Sequence, residues 1–216
     1  MYVSDYVNKT IKEAQIEILK IVLNDGETIE DTLELNNISI CIKSPLRDTY
    51  DLFDNLTPIA KKHMEQMMLE PDPNLPKTHY ERLHNYVVGD KIICEIGENL
   101  VSYDQIEEVI KRLKENPLSK RCILTLWSPE DINDKYALSW TFAQLLIRNN
   151  KLIMTSFFRS LDIWNGFPYN CVGIANLQAE IAKRLDIESG EFNCHIGSCH
   201  VYKSNIKEIE EYLAKP

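Results

Sequence analysis

From Ser4 to Leu23 the apolar residues Val7, Ile11, Ala14, Ile18, Leu19 and Val22 recur at the spacing of one helical face, and the run stops at Asn24-Asp25-Gly26. This pattern predicts a packing helix. Ile38, Ile40 and Ile42 then alternate with Ser39 and Cys41, which predicts a half-buried strand ended by Pro45. Asp51 to Leu69 reads as helical, and Pro71, Pro73 and Pro76 enforce a loop after it. Ile106, Val109, Ile110 and Leu113 share one face of a helix from Asp104 to Lys114, with Pro117 just beyond its end. Two apolar runs, Phe142 to Ile147 and Leu152 to Phe158, are joined by Asn149-Asn150-Lys151 and read as a hairpin. Cys171 to Leu185 supplies another amphipathic helix, Gly190 introduces a closing strand, and Ile206, Ile209, Tyr212 and Leu213 mark a short final helix. No linker, repeat or low-complexity segment divides the pattern. The expectation is one α+β domain over residues 1–216, a large mixed sheet with helices packed against it.

Composition narrows the function. A chain of 216 residues, 44% of them hydrophobic, can build a real core, and no apolar run approaches a membrane span. The opening stretch MYVSDYVNKTIKEAQ carries acids and no apolar signal core, so the expected location is cytoplasmic, with no membrane partner. Six scattered cysteines in such a chain are expected as reduced thiols rather than a disulfide scaffold. The pairs Cys194-His195 and Cys199-His200 invite a metal reading, but positions five apart on a regular strand face opposite sides, and no metal is expected. A formal charge of −9 argues against a nucleic-acid surface, so an anionic substrate requires a local basic pocket.

The stretch Phe157 to Tyr202 supplies such a pocket. It gathers Arg159, Ser160, Asp162, Asn170, His200 and Tyr202 into one strand-turn-helix-strand unit. Arg159 offers a fork of charged donors to a phosphate, and Ser160 adds a hydroxyl. Asn170 presents a donor and an acceptor to a heterocycle edge. His200 and Tyr202, two apart on a strand, point the same way towards a sugar hydroxyl.

The runs Arg159-Ser160-Leu161-Asp162, Gly166-Phe167-Pro168-Tyr169-Asn170 and Gly197-Ser198-Cys199-His200-Val201-Tyr202 are similar, in order and spacing, to R-S-x-D, G-x-P-F-N and G-D-x-H-x-Y of the thymidylate synthase family. Ser119-Lys120-Arg121-Cys122-Ile123 resembles that family's S-R-R-x-I strand, and Thr78 to Leu83 resembles its Y-G-x-R segment. The resemblance implies C5 methylation or hydroxymethylation of a pyrimidine nucleotide monophosphate, with methylene-tetrahydrofolate or a related reduced pterin as cosubstrate. It further implies a homodimer through the sheet face. Arg159, Ser160, Lys120 and Arg121 would bind phosphate, the last two from the partner chain. Asn170 would read the base, with a leaning towards uracil, His200 and Tyr202 would hold the sugar, and Asp162 with Gly166 would meet the pterin. Glu65, His79 and Tyr80 are the candidates for proton transfer, the last two being alternative alignments of one tyrosine position.

Three departures stand against this pattern. Ser198 occupies the aspartate position of G-D-x-H, and the phosphate-clamping arginine after the first helix is absent at Asn24 to Thr28, with Arg47 a substitute candidate. The third concerns the nucleophile. The family reaction begins with a cysteine thiolate attacking C6 of the pyrimidine, which makes C5 carbanion-like. Counting back from Arg159 places Ser139 at that position. A hydroxyl is far less acidic than a thiol and needs an adjacent base. Ser139 is therefore an introduced replacement, the mark of altered chemistry, or the mark of a family member that binds nucleotide without turnover.

Overall fold

The computed structural model describes residues 6–47, 79–88, 101–135 and 137–215. The helix read from Asp51 to Leu69, and Glu65 with it, lies outside the described residues. Strand β1 (Tyr6–Asn8) leads into helix α1 (Ile11–Asp25), followed by β2 (Glu27–Ile29) and β3 (Thr32–Ile42). Helix α2 (His79–His84) and strands β4 (Tyr86–Val88) and β5 (Val101–Tyr103) precede α3 (Gln105–Glu115). The remainder is β6 (Ile123–Thr125), β7 (Trp140–Arg148), β8 (Lys151–Asp162), α4 (Phe167–Arg184), β9 (Glu188–Tyr202) and α5 (Ile206–Leu213). Among the described residues the main sheet has seven strands in the order β1-β3-β9-β8-β7-β6, with β2 pairing β3. β8 and β9 run parallel while β3-β9 and β7-β8 are antiparallel, so the sheet is mixed as expected.

The N-terminal expectation needs correcting. Tyr6–Asn8 is a strand parallel to β3, and the helix begins only at Ile11. Thr10 decides the boundary: its hydroxyl accepts from Glu13 N while the Glu13 carboxylate accepts from Thr10 N, a capping box that starts the helix there. Asn149 and Asn150 both have positive φ (52° and 59°), the conformation a two-residue hairpin turn requires and asparagine tolerates.

One sheet face is covered by helices. Ile38, Ile40 and Ile42 of β3, Phe192, Cys194 and Ile196 of β9, and Leu152, Met154 and Phe158 of β8 are buried on it. Ile18, Leu19 and Val22 of α1 and Ile174, Leu177 and Ile181 of α4 complete that layer. Gln178, fully buried, spends its amide on the Leu152 carbonyl (2.6 Å) and so ties α4 to β8.

The alternation does not run through. On β8 burial falls at Leu152, Met154, Ser156 and Phe158 and then at Leu161; on β9 it falls at Phe192, Cys194 and Ile196 and then at Cys199 and Val201. Both strands reverse phase at one level, since Phe158 pairs Ile196 and Ser160 pairs Ser198. β3 joins them: Ser198 pairs Asn36, and Asn37 beside it has φ 59°. An extra residue per strand at the same level preserves the register while bending the sheet. The reversal sets Arg159 and Ser160, neighbours in sequence, on the same open face. It also puts Cys194 and Cys199 together on the buried face, which corrects the expectation from strict alternation.

Candidate active site

The chain just before β7 lies against the level where the phase reverses. Arg159 N donates to Ser139 O at 2.9 Å, so the serine predicted from spacing does stand beside the predicted phosphate arginine. The guanidinium holds the segment preceding Ser139: Nε donates to Leu138 O at 3.2 Å and Nη2 to Ala137 O at 2.8 Å. Its Nη1 donates to Ser160 Oγ at 3.2 Å, a contact that only the phase reversal permits. Arg159 is exposed and lies over the Trp127 ring, Cζ to centroid 5.7 Å. Trp127 belongs to no motif, and its only signal in the sequence is an aromatic at the end of the stretch after Lys120 and Arg121.

Across the strands, Ser160 pairs Ser198 and Asp162 pairs His200, and His200 and Tyr202 lie on the same side with their rings 5.5 Å apart, edge to face. Gly197 makes this possible, because a Cβ there would meet Arg159 O at 2.9 Å. Asp162 organises the turn into α4: Oδ1 accepts from Trp164 N (2.9 Å) and Asn165 N (3.2 Å), and Oδ2 from Asn165 Nδ2 (2.8 Å). Asn170 sits in the first turn of α4, where Nδ2 donates to Gly166 O at 2.9 Å. Gly166 N in turn donates to Asp162 O (2.9 Å), which fixes the loop the pterin residues were read from.

Two of the proton-transfer candidates separate. His79 packs against Trp140, the residue after Ser139, with ring centroids 6.0 Å apart, whereas Tyr80 turns away and stacks on His84 at 4.5 Å. Burial pushes the His79 imidazole down to about 4, and its Nε2 is enclosed with no partner among the described residues. It is neutral at physiological pH. Arg82 anchors this helix by a 2.6 Å ion pair to buried Asp131. Among the described residues no side chain bonds the Ser139 hydroxyl.

Lys120 and Arg121 are not brought to Arg159 within one chain. Leu145 N bonds Cys122 O at one end of β7 while Arg159 N bonds Ser139 O at the other. At about 3.4 Å per residue, that is roughly 20 Å of strand. Arg121 instead lines a cavity of about 500 Å³ with Tyr86, Tyr103, Glu108 and Arg112. A second cavity of about 500 Å³ opens on the sheet face between Ile123, Trp127, Phe142, Phe157 and Arg159. Cys171, Cys194 and Cys199 are buried, and burial raises the thiols of Cys194 and Cys199, so neither supplies a thiolate. Among the described residues no group of three or more His, Cys, Asp or Glu could hold a metal, and no helix is long and apolar enough to cross a membrane.

The chain belongs to the thymidylate synthase family, whose family model, described as thymidylate synthase, matches residues 17–216. A putative thymidylate synthase of Methanothermobacter thermautotrophicus is 28% identical over 215 residues, covering 91% of this chain and 92% of that protein. A putative thymidylate synthase of Methanothermobacter marburgensis is 25% identical, covering 94% and 95% respectively. The thymidylate synthase of Listeria monocytogenes is 34% identical over 113 residues, but this match spans 52% of the chain and only 36% of the bacterial protein.

Proposed function

We propose that this protein is a C5 one-carbon transferase, methylating or hydroxymethylating a pyrimidine nucleotide monophosphate. The observation that carries the reading is the juxtaposition of Arg159, Ser160 and the Ser139 segment at one level of the sheet, inside a chain of this family. Methylene-tetrahydrofolate supplies the one-carbon unit as cosubstrate. Arg159 and Ser160 take the phosphate, Asn170 the base edge, and His200 with Tyr202 the sugar. Asp162 and Gly166 shape the loop on the pterin side. The location consistent with this chemistry is the cytoplasm.

The working form is a homodimer through the open sheet face. Phe142 is 42% and Ile123 40% exposed there, and Phe142 stacks on Phe157 with centroids 5.7 Å apart. Large apolar side chains grouped on one face favour coverage by another surface. A second chain would also deliver Lys120 and Arg121 to a phosphate that their own chain holds out of reach.

Arg159→Ala is expected to weaken pyrimidine monophosphate binding at least tenfold, since a charge-assisted phosphate contact contributes about 1.5 to 3 kcal/mol. Titration calorimetry reads this directly, and unchanged affinity removes Arg159 from the site. Asn170→Asp is expected to shift relative affinity from uridylate towards cytidylate, because a carboxylate accepts from the cytosine amino group where the amide serves the uracil carbonyl and imide. An unaltered ratio shows that the side chain does not face the ring.

A further inference from the structure

The position of the family's G-D-x-H aspartate is Ser198, yet a carboxylate is still present at this level. Ser198 Oγ donates to Glu34 Oε2 at 2.7 Å, and Glu34 comes from the neighbouring strand β3. Glu34 stands directly opposite His200 in the β3-β9 register, while Asp162 stands opposite it from β8. Directly opposite residues of an antiparallel pair carry their side chains on the same face, with Cβ atoms about 4.5–5.5 Å apart. His200 thus has a carboxylate-bearing residue opposite it on each neighbouring strand.

The two carboxylates are not equivalent. Asp162 is committed to the turn by three hydrogen bonds, whereas among the described residues the only donor to Glu34 is the Ser198 hydroxyl. His200 Nδ1 is enclosed without a partner among the described residues. A buried ring nitrogen left unpaired is costly, and it marks a group whose orientation is completed by a neighbour or a ligand.

We propose that Glu34 is a positioning residue of the nucleotide site: its carboxylate, supplied from β3 in place of the aspartate that Ser198 lacks, fixes the Ser198-to-Tyr202 segment and orients His200 towards a sugar hydroxyl. A carboxylate thus remains at this level, on the residue opposite the imidazole. This inference rests on the proposed nucleotide reading of the site, and it concerns the sugar alone.

The test compares binding of deoxyuridylate and dideoxyuridylate, which differ by the sugar hydroxyl, to the native protein and its variants by calorimetry. Glu34→Gln is expected to weaken deoxyuridylate about tenfold while leaving dideoxyuridylate within twofold. The double variant Glu34→Ser with Ser198→Asp is expected to regain the native preference for the hydroxyl-bearing nucleotide. A merely structural tie between β3 and β9 would weaken both nucleotides equally, and that result overturns the proposal. So does a double variant that shows no such preference. If the native protein binds neither nucleotide, the proposed function itself fails and this inference falls with it; if native binding is normal and Glu34→Gln changes nothing, only the role of Glu34 is lost.

Discussion

Ser139→Cys is expected to raise the release of tritium from a 5-tritiated pyrimidine nucleotide by roughly a hundredfold or more. Exchange at C5 requires a nucleophile to add at C6 first. A hydroxyl reaches that role only with a general base beside it, whose contribution is roughly 10² to 10⁴ in rate. No described residue bonds the Ser139 hydroxyl; Arg159 beside it is always protonated and is no base, and the His79 imidazole packs against Trp140, the next residue. An imidazole held down to about 4 is a weak acceptor for so reluctant a proton. A thiol needs far less help, because part of it is already thiolate near neutral pH. The cysteine variant should also form a covalent complex with a 5-fluoropyrimidine nucleotide. If the serine protein already exchanges rapidly and the variant does not improve on it, the assigned role of position 139 is wrong. If neither exchanges while both bind nucleotide, the protein binds without turnover.

The second large effect is on stability. The His79 imidazole is pushed down to about 4 in the fold from its ordinary 6.5, because burial disfavours the charged ring. Above pH 6.5 the ring is neutral both folded and unfolded, so its neutral burial carries no proton penalty. As pH falls below 6.5 the unfolded chain takes up the proton and the folded chain does not, so stability is lost down to the folded value, with a slope approaching 1.4 kcal/mol per pH unit. Summed over that window the loss is about 3 kcal/mol. His79→Leu removes the titrating group. Urea unfolding of both proteins from pH 7 to pH 4 should show the native protein losing about 3 kcal/mol relative to the variant. Parallel pH profiles would mean the ring is solvated.

Much of this was visible in the residues. The hairpin at Asn149-Asn150 and the helices over 105–115 and 206–213 follow from period and turn chemistry, and the structure puts them there. The N-terminal strand was hidden because Val7 fits the helical stripe of α1 as well as it fits an edge strand, and only the Thr10–Glu13 cap separates the two. The Ile38-Ile40-Ile42 alternation predicts a strand that starts near Ile38. Leu33 and Leu35 do alternate before it, but Asn36-Asn37 looks like a turn, whereas in the fold it is the phase reversal itself. That reversal depends on three strands shifting together, so no single stretch displays it. For the same reason Glu34 escaped notice, since its role exists only in the register with Ser198 and His200. Motif spacing names Arg159 and Ser139 as neighbours in space, and in the fold a main-chain bond of 2.9 Å joins them.

The most direct test of the account is product formation by the native protein. Incubated with uridine, deoxyuridine, cytidine and deoxycytidine monophosphates and methylene-tetrahydrofolate, it should convert one of them to a nucleotide heavier by a methyl or hydroxymethyl group at C5, as read by mass spectrometry. Conversion should be faster with the Ser139→Cys variant and absent when the folate is omitted. If all four nucleotides are recovered unchanged from both proteins, this chain is not a C5 transferase.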